Sequence, residues 1–257
     1  MQANAVLETR ELSVRFGGHV AVDRVSCAFF PGTLSAIVGP NGAGKTTWFN
    51  AVSGQVRPSA GQVLLGGEDI TSLAAPLRAR RGLGRAFQLT QLFAQLSVHE
   101  NVRLAVQAQA QQGLGLDALV QLWSARRDLI ERTDVLLETV SLSSQRDQAA
   151  AALSHGDQRK LELAILMALQ PRIFLLDEPT AGMSLDDVPV VLDLIRALKR
   201  RGDATILLVE HKMDVIHELA DRILVLHEGR LVADGEPEQV MRSETVQQAY
   251  LGQAVQP

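Results

Sequence analysis

The chain has 257 residues, 46% hydrophobic and 21% charged, so it can bury a large core. Its length allows one sizeable domain or two small ones, and we expect residues 1–257 to form one domain with a subdomain. Its formal net charge of −4 at pH 7 gives no sign of a polyanion-binding surface, which disfavours nucleic acid as a partner. The single cysteine, Cys27, excludes an internal disulfide and suits a reducing compartment such as the cytosol.

The N-terminal part of the chain is predicted to begin with a β-hairpin. Its two strands cover residues 6–16 and 20–30, and they are joined at Gly17-Gly18. A buried strand over 34–38 and a helix over 46–52 follow, because the first run is mostly apolar and the second has helical periodicity.

The segment between that strand and helix has the form G-x-x-x-x-G-K-[ST], a P-loop that surrounds a nucleotide's phosphates with backbone amides. Its glycines allow a tight turn, and the helix N-terminus supplies positive potential. Lys45 would reach the β- and γ-phosphates of the nucleotide, and Thr46 would place its hydroxyl on Mg²⁺. A P-loop alone leaves kinase, GTPase, motor and transporter open. The predicted nucleotide-binding residues are Gly39, Pro40, Asn41, Gly42, Ala43, Gly44, Lys45, Thr46 and Thr47.

The middle of the chain changes from strand to helix. A short strand is predicted over residues 62–65, and the run 82–88 approaches the next core element and ends at Gln88. Between about residues 90 and 152 the composition shifts to Ala, Gln, Leu and scattered charge, with a capping box at Ser97-Val98-His99-Glu100. We expect a helical insert in this region.

Strand signals return after Pro171 and alternate with helical patterns. The predicted strands cover residues 173–176, 205–209 and 222–226, and the predicted helices cover 187–201 and 212–220. Alternating buried strands and helices imply a parallel sheet that is covered on both faces.

Two adjacent carboxylates, Asp177 and Glu178, end the first of these strands, at the edge where open α/β sheets carry their chemistry. Because side chains alternate along a strand, the two acids can have different roles. Asp177 would hold Mg²⁺ through water, and Glu178 would orient or deprotonate the water that attacks the γ-phosphate.

The run Leu153-Ser154-His155-Gly156-Asp157-Gln158 precedes these carboxylates and resembles the signature motif, usually LSGGQ, of the ATP-binding cassette (ABC) ATPases. The resemblance covers almost the whole chain. In that family a second ATPase subunit donates the motif to the γ-phosphate, so Ser154 and Gly156 would contact the partner subunit's ATP. The alternative interpretation is an ordinary helix N-cap at Ser154.

The same resemblance assigns three further residues. Phe16 matches the aromatic residue that stacks on adenine. Gln88 matches the Q-loop glutamine, which senses Mg²⁺ and water, and His211 matches the switch histidine that contacts the γ-phosphate. His211 also stands where a GTPase would need asparagine, so the GTPase alternative fails there.

The resemblance implies an α/β fold, a P-loop NTPase (RecA-like) core with a parallel sheet, an N-terminal antiparallel β subdomain and a helical insert. The core would comprise residues 1–89 and 153–235, and the helical subdomain residues 90–152. Residues 236–257 would form a C-terminal helical tail.

Two residues depart from the family pattern. His155 replaces a glycine of LSGGQ, and Ser184 stands at the aspartate position of the loop after the catalytic glutamate, the D-loop. Because Ser154 and Gly156 remain, we expect the contact with ATP to survive, whereas the interfacial contacts of the D-loop are in question.

A closer resemblance is to the branched-chain (hydrophobic) amino-acid uptake ATPases of bacteria. It is based on the runs at 178–183 and 209–213 together with the tail at 235–240. That resemblance implies an ATPase dimer, with a sister subunit or with itself, two transmembrane permease subunits and a periplasmic solute-binding protein. It places the chain on the cytoplasmic face of the inner membrane. An exporter or lipid-extrusion ATPase and a soluble non-transport ABC ATPase are the alternatives.

The chain itself is expected to lack a membrane anchor. Its N-terminus has no basic region followed by an apolar stretch, and no run approaches about 18 apolar residues, so we expect neither a secretory signal nor a spanning helix. The segment 89–93 and the following helix would form the docking surface for a membrane subunit. The alternative is that these apolar residues pack the core of the helical insert itself.

Overall fold

The secondary structure comes from a computed structural model that describes residues 4–86, 92–110, 127–243 and 246. The strands are β1 (Leu7–Phe16), β2 (His19–Phe29), β3 (Leu34–Val38), β4 (Ala60–Leu65), β5 (Glu68–Asp69), β6 (Leu83–Ala86), β7 (Ile173–Asp177), β8 (Thr205–Val209), β9 (Arg222–His227) and β10 (Arg230–Gly235). The helices are α1 (Lys45–Ser53), α2 (Ala75–Arg80), α3 (Val98–Ala110), α4 (Arg127–Thr139), α5 (His155–Leu169), α6 (Val188–Arg201), α7 (Met213–Leu219) and α8 (Pro237–Met241).

These elements belong to two compact units. The first unit comprises residues 1–85, 172–178 and 196–257, and the second comprises 86–171 and 179–195. The division predicted from the sequence, with boundaries at residues 90 and 152, stays a prediction.

The first unit contains a four-stranded antiparallel sheet in the order β2-β1-β4-β5. The predicted hairpin is confirmed, since β1 and β2 pair in antiparallel register from Leu7 opposite Phe29 to Phe16 opposite His19. Gly17 takes a φ of +58° in the turn, a conformation that glycine adopts without steric cost.

The second sheet of this unit has six strands in the order β10-β9-β3-β8-β7-β6. Strands β9, β3, β8 and β7 are mutually parallel, as predicted, and every residue of β3, β7 and β8 is buried. The edge differs from the prediction, because β10 is antiparallel to β9. The turn between them, Glu228-Gly229, has positive φ at both residues, which is the geometry of a tight hairpin.

The core of the first unit fixes α1 against both sheets. The Trp48 ring lies 5.7 Å from that of Phe29 and 5.8 Å from that of Phe49, centroid to centroid, and all three side chains are buried. The buried Arg78 guanidinium donates to the carbonyl oxygens of Ala51 (2.8 Å) and Val52 (2.6 Å) at the other end of the helix. Helix α1, and with it the loop that precedes it, is therefore held at both ends.

The second unit is built from helices α3, α4 and α5, which pack against one another. The predicted cap of α3 is present, since the Glu100 N–H donates to Ser97 Oγ at 3.1 Å. The Asn101 side chain binds both backbone groups of Phe93 and fixes the segment that leads into the helix. Among the helices of the described residues, none combines the length and apolar composition that a membrane crossing needs.

The C-terminal tail is described only in part. Helix α8 matches the predicted helical stretch at 238–241, and its Val240 packs in a small core with Ile216 and Val225. The second helical stretch, predicted near 244–250, lies outside the described residues except for Val246.

Candidate functional site

The P-loop, residues 39–47, connects the end of β3 to the first turn of α1. Gly44 is the N-cap of α1 and has a φ of +96°, and its carbonyl oxygen accepts the Trp48 N–H at 2.8 Å. A Cβ at Gly44 would overlap the carbonyl oxygen of Ala21, whereas a Cβ at Gly42 would meet nothing within 4 Å. The loop is therefore packed on its β-sheet side and open on the other.

Lys45 is folded back onto the loop that carries it. Its Nζ donates to the carbonyl oxygens of Gly39 at 2.6 Å and Pro40 at 2.9 Å. Burial lowers the pKa of Lys45, while the negative charges of Glu178 and Asp177 act to raise it. The ammonium group thus lies at the centre of the loop with two carboxylates in electrostatic range.

A cavity of about 320 Å³ lies in front of the loop, within the first unit. It brings together most of the predicted nucleotide-binding residues with two of the predicted catalytic residues, and it adds two residues that the sequence did not indicate, His19 and Ala21. Its lining consists of Phe16, His19, Ala21, Asn41, Gly42, Ala43, Gly44, Lys45, Thr46, Thr47, Glu178 and His211.

Phe16 and His19 form one wall of this cavity at the tip of the β1–β2 hairpin, where they are cross-strand partners. The Phe16 side chain is 53% exposed, so it is not a core residue. An exposed aromatic ring beside a phosphate-binding loop suits stacking on a flat, apolar ligand surface.

Glu178 and His211 form a hydrogen-bonded pair at the edge of the parallel sheet. His211 Nε2 lies 2.7 Å from Glu178 Oε1. Glu178 has a φ of +48°, a left-handed conformation that is uncommon for a non-glycine residue, and its N–H donates to the Val209 carbonyl at 2.9 Å. Such strain persists only where the surrounding structure enforces it, and it is typical of functional sites.

Asp177, the residue before Glu178, is buried and does not line the cavity. Its Oδ2 accepts a hydrogen bond from Arg85 Nη2 at 2.9 Å, and its Oδ1 is a buried oxygen without a hydrogen-bond partner among the described residues. Burial raises the pKa of Asp177, and Arg85 opposes this increase through its charge and its hydrogen bond. Burial also lowers the pKa of Arg85, so desolvation outweighs the attraction for both partners.

The residues present fit a Mg²⁺ site. Mg²⁺ prefers oxygen ligands, keeps several waters, and is usually held by one or two protein groups together with phosphates. Thr46 lines the cavity, and Asp177 Oδ1, which has no hydrogen-bond partner among the described residues, supplies a second oxygen. Within the described part of the chain, no group of three His, Cys, Asp or Glu side chains could hold a metal, so a cage made of protein side chains alone does not fit. Gln88, the third predicted metal residue, lies outside the described residues.

The signature motif, residues 153–158, lies in the second unit and begins α5. Ser154 is the N-cap, because its Oγ accepts the Asp157 N–H at 3.1 Å and its hydroxyl lies 2.9 Å from Asp157 Oδ2. Ser154 and His155 are exposed, whereas Gly156 is buried. The ordinary N-cap expected as the alternative is thus present, and it presents a serine hydroxyl at a helix N-terminus.

Ser184, the departure in the D-loop, has a local structural role. Its hydroxyl donates to Asp187 Oδ2 at 2.7 Å, and its carbonyl oxygen accepts the N–H groups of Asp187 and Val188 in the turn that leads into α6. Asp187 Oδ1 in turn lies 2.5 Å from Lys160 Nζ on α5, and a Cβ at Gly156 would come within 2.5 Å of Asp187 Oδ2. The sequence predicted neither the Lys160–Asp187 ion pair nor this close approach.

Replacing Lys160 with methionine is expected to lower the free energy of unfolding by about 1–3 kcal/mol, because Asp187 and Asp157 lose a buried cationic partner. Lys199→Met is the matched control, since Lys199 also pairs with an aspartate, Asp221. In this pair the lysine side chain is 29% exposed and the aspartate side chain 43% exposed. This control is expected to lose less than about 1 kcal/mol. Denaturant unfolding of both variants at pH 7 measures the difference, and equal losses would contradict the prediction.

The same pair predicts a pH dependence. Hydrogen bonds from Lys160 and Ser184 lower the pKa of Asp187 from its ordinary value of 3.8. Because the pKa of Asp187 is lower in the folded state, its carboxylate stabilises the fold at pH values above its unfolded-state pKa. This stabilisation is lost as the pH falls through the folded-state pKa. The stability difference between the native chain and Lys160→Met should therefore shrink below about pH 4.

Comparisons with known proteins agree with this geometry. The family described as ABC transporter matches residues 22–181, and the family described as branched-chain amino acid ATP-binding cassette transporter matches residues 230–256. The high-affinity branched-chain amino acid transport ATP-binding protein LivG of Escherichia coli is 38% identical over 97% of this chain and 98% of its own length. BraF of Pseudomonas aeruginosa, which carries the same description, is 36% identical with the same coverage. The lipopolysaccharide export system ATP-binding protein LptB of Haemophilus influenzae is 33% identical, also with the same coverage.

A solved structure supports the same assignment. The ADP conformation of MJ1267, an ATP-binding cassette of an ABC transporter, superimposes with a TM-score of 0.80 at 27% identity, and the match covers 96% of this chain and 99% of that one. This similarity confirms the predicted fold class, an α/β P-loop core with an antiparallel β subdomain and a helical insert. The chain belongs to the ABC transporter family, and it is a nucleotide-binding ATPase of the ATP-binding cassette type.

Proposed function

We propose that this chain is the ATP-hydrolysing subunit of a bacterial ABC importer for branched-chain amino acids or related small solutes. The observation that carries the proposal is a cavity that brings together the P-loop, Glu178, His211 and Phe16. The substrate class is supported by the descriptions of LivG and BraF and by the branched-chain family match at residues 230–256.

In this proposal the P-loop binds the phosphates of ATP through its backbone amides, and Phe16 stacks on the adenine ring. Lys45 would exchange its carbonyl partners for the β- and γ-phosphates. The hydroxyl of Thr46, the carboxylate of Asp177 and the side chain of Gln88 would hold Mg²⁺, in part through water. When bound, Mg²⁺ would neutralise negative charge on the phosphates.

Glu178 is proposed to act as the general base. The base must lie at the cavity, must have a defined orientation and must be able to accept a proton from water. Glu178 lines the cavity, and its backbone is fixed by Val209 while one carboxylate oxygen is held by His211. His211 would therefore position the base as well as contact the γ-phosphate.

The site is proposed to be completed by another subunit. The chain carries one P-loop and one signature motif, so Ser154 and Gly156 would serve the ATP of the facing subunit, a sister ATPase or a second copy. Two transmembrane permease subunits and a periplasmic solute-binding protein would complete the importer. The chain would then be peripheral on the cytoplasmic face of the inner membrane. The boundaries of the core, the helical subdomain and the tail remain those predicted from the sequence.

Reconstitution tests the proposal. The chain should copurify with two membrane subunits, and the assembly in proteoliposomes should take up leucine, isoleucine or valine only with ATP and the loaded binding protein. ATP hydrolysis that does not respond to any small solute presented with the binding protein would contradict the importer assignment.

An export ATPase is the second candidate, because LptB relatives are 33–34% identical over nearly the full chain. The two candidates differ in their membrane subunits and in the direction of transport. Copurification with export-type membrane subunits, together with ATP-dependent lipid extraction, would favour this second candidate.

A further inference from the structure

Arg85, at the end of β6, is a buried cation that joins two parts of the nucleotide site. Its Nη2 donates to Asp177 Oδ2 at 2.9 Å, and its Nη1 donates to Asn50 Oδ1 at 2.7 Å and Ser53 Oγ at 2.8 Å on α1. Its Cζ lies 5.7 Å from the centroid of the Phe49 ring, also on α1. The side chains of Arg85 and Asp177 are only 6% and 0% exposed.

The two oxygens of Asp177 are in different environments. Oδ2 is held by Arg85, whereas Oδ1 is buried and has no hydrogen-bond partner among the described residues. A buried carboxylate with an unused oxygen is costly unless a cation and hydrogen bonds compensate it. Lys45 contributes charge, but its ammonium group is bound to the carbonyl oxygens of Gly39 and Pro40.

We propose that Arg85 is a positioning residue of the metal site. Arg85 holds Asp177 by Oδ2, so that Oδ1 remains available to Mg²⁺ or its water, and it connects this carboxylate to α1. Helix α1 begins with Lys45 and Thr46, so Arg85 sets the spacing between the two elements that carry the proposed metal-binding oxygens. The inference rests on the proposed Mg-ATP site and extends it to a residue that contacts neither ATP nor the metal.

A buried arginine could also act only as structural support, and Arg78 provides the comparison. Arg78 is 1% exposed and also binds the C-terminal part of α1, but its partners are backbone carbonyl oxygens, namely those of Ala51, Val52, Leu73 and Thr71. Loss of Arg78 should therefore destabilise the fold without altering metal binding directly.

The test compares Arg85→Gln with Arg78→Gln in the purified full chain. The dissociation constant of ATP is measured by titration calorimetry in EDTA and in saturating Mg²⁺, and thermal unfolding is measured without nucleotide. For Arg85→Gln, the strengthening of ATP binding by Mg²⁺ should fall by about 10–100-fold, the range for a group that orients a metal ligand. Arg78→Gln should lower the unfolding temperature and keep the Mg²⁺ effect.

The outcomes separate this inference from the proposed function. A native chain without any Mg²⁺ effect on ATP binding would contradict the metal site itself. If Mg²⁺ strengthens ATP binding as much in Arg85→Gln as in the native chain, only the role of Arg85 is overturned. In an Asp177→Asn background, Arg85→Gln should cause no further loss of the Mg²⁺ effect, because Arg85 acts through Asp177.

If Arg85→Gln does not fold, Arg85→Lys takes its place. A compact ammonium cannot span Asn50 and Asp177 as the guanidinium fork does, so the Mg²⁺ effect should still fall by at least about threefold. An unchanged Mg²⁺ effect in Arg85→Lys would contradict the proposal that the fork sets the spacing.

Discussion

Replacing Glu178 with glutamine is expected to lower ATP hydrolysis by about 10²–10⁴-fold, the contribution of a positioned general base, while ATP binding is retained. Glutamine has nearly the same shape and keeps an oxygen that can accept a hydrogen bond from His211, 2.7 Å from the native Oε1. It cannot accept a proton from water. Phosphate release by the assembled transporter measures the first effect, and calorimetric titration with ATP measures the second.

Glu228→Gln is a control matched in chemistry and in backbone conformation. Glu228 also has a φ of +48°, but it lies in the exposed turn between β9 and β10 and does not line the cavity. This variant should hydrolyse ATP at the native rate. Near-native hydrolysis by Glu178→Gln would remove the base assignment, and His211→Ala in the same background would then show whether the histidine carries the proton transfer.

Much of the fold follows from short-range patterns in the sequence. Strands β3, β7 and β8 are buried on both faces, so each is a mostly apolar run that ends at a functional segment. The P-loop and the pair Asp177-Glu178 are likewise local, because a few adjacent residues carry the chemistry. The topology of the parallel sheet then brings the two segments to one edge.

The contacts that the sequence did not reveal are long-range or involve ordinary polar residues. Arg85 and Asp177 are 92 positions apart, and the only local signal was a charged residue in the apolar run 82–87. A buried arginine requires a partner, but the sequence does not say which carboxylate provides it. Strand β10 was missed for another reason, since its edge position leaves most of its residues partly exposed and weakens the apolar pattern.

Replacing Gly44 of the P-loop with alanine is also expected to have a large effect. The φ of +96° alone costs an alanine about 1–2 kcal/mol. The new Cβ would also overlap the Ala21 carbonyl oxygen and lie 3.3 Å from the Gly229 Cα, and such overpacking of rigid backbone adds about 1–3 kcal/mol. Relief of the overlap must shift the first turn of α1, so the rate of ATP hydrolysis, measured as phosphate release, should fall by about 100-fold, the effect on rate of a displacement of about 1 Å.

Gly42→Ala measures the cost of the backbone conformation without the cost of the steric overlap. Gly42 has a φ of +79°, but a Cβ there meets nothing within 4 Å, so only the conformational cost of about 1–2 kcal/mol applies. Without nucleotide, Gly44→Ala should therefore lower the thermal midpoint by about 4–20 °C and Gly42→Ala by about 2–8 °C. Equal shifts in the two variants would mean that the contact with β2 adds nothing. The fixed position of Lys45 and Thr46 would then have to come from the packing of Trp48 and from the contacts of Arg78 and Arg85 with α1.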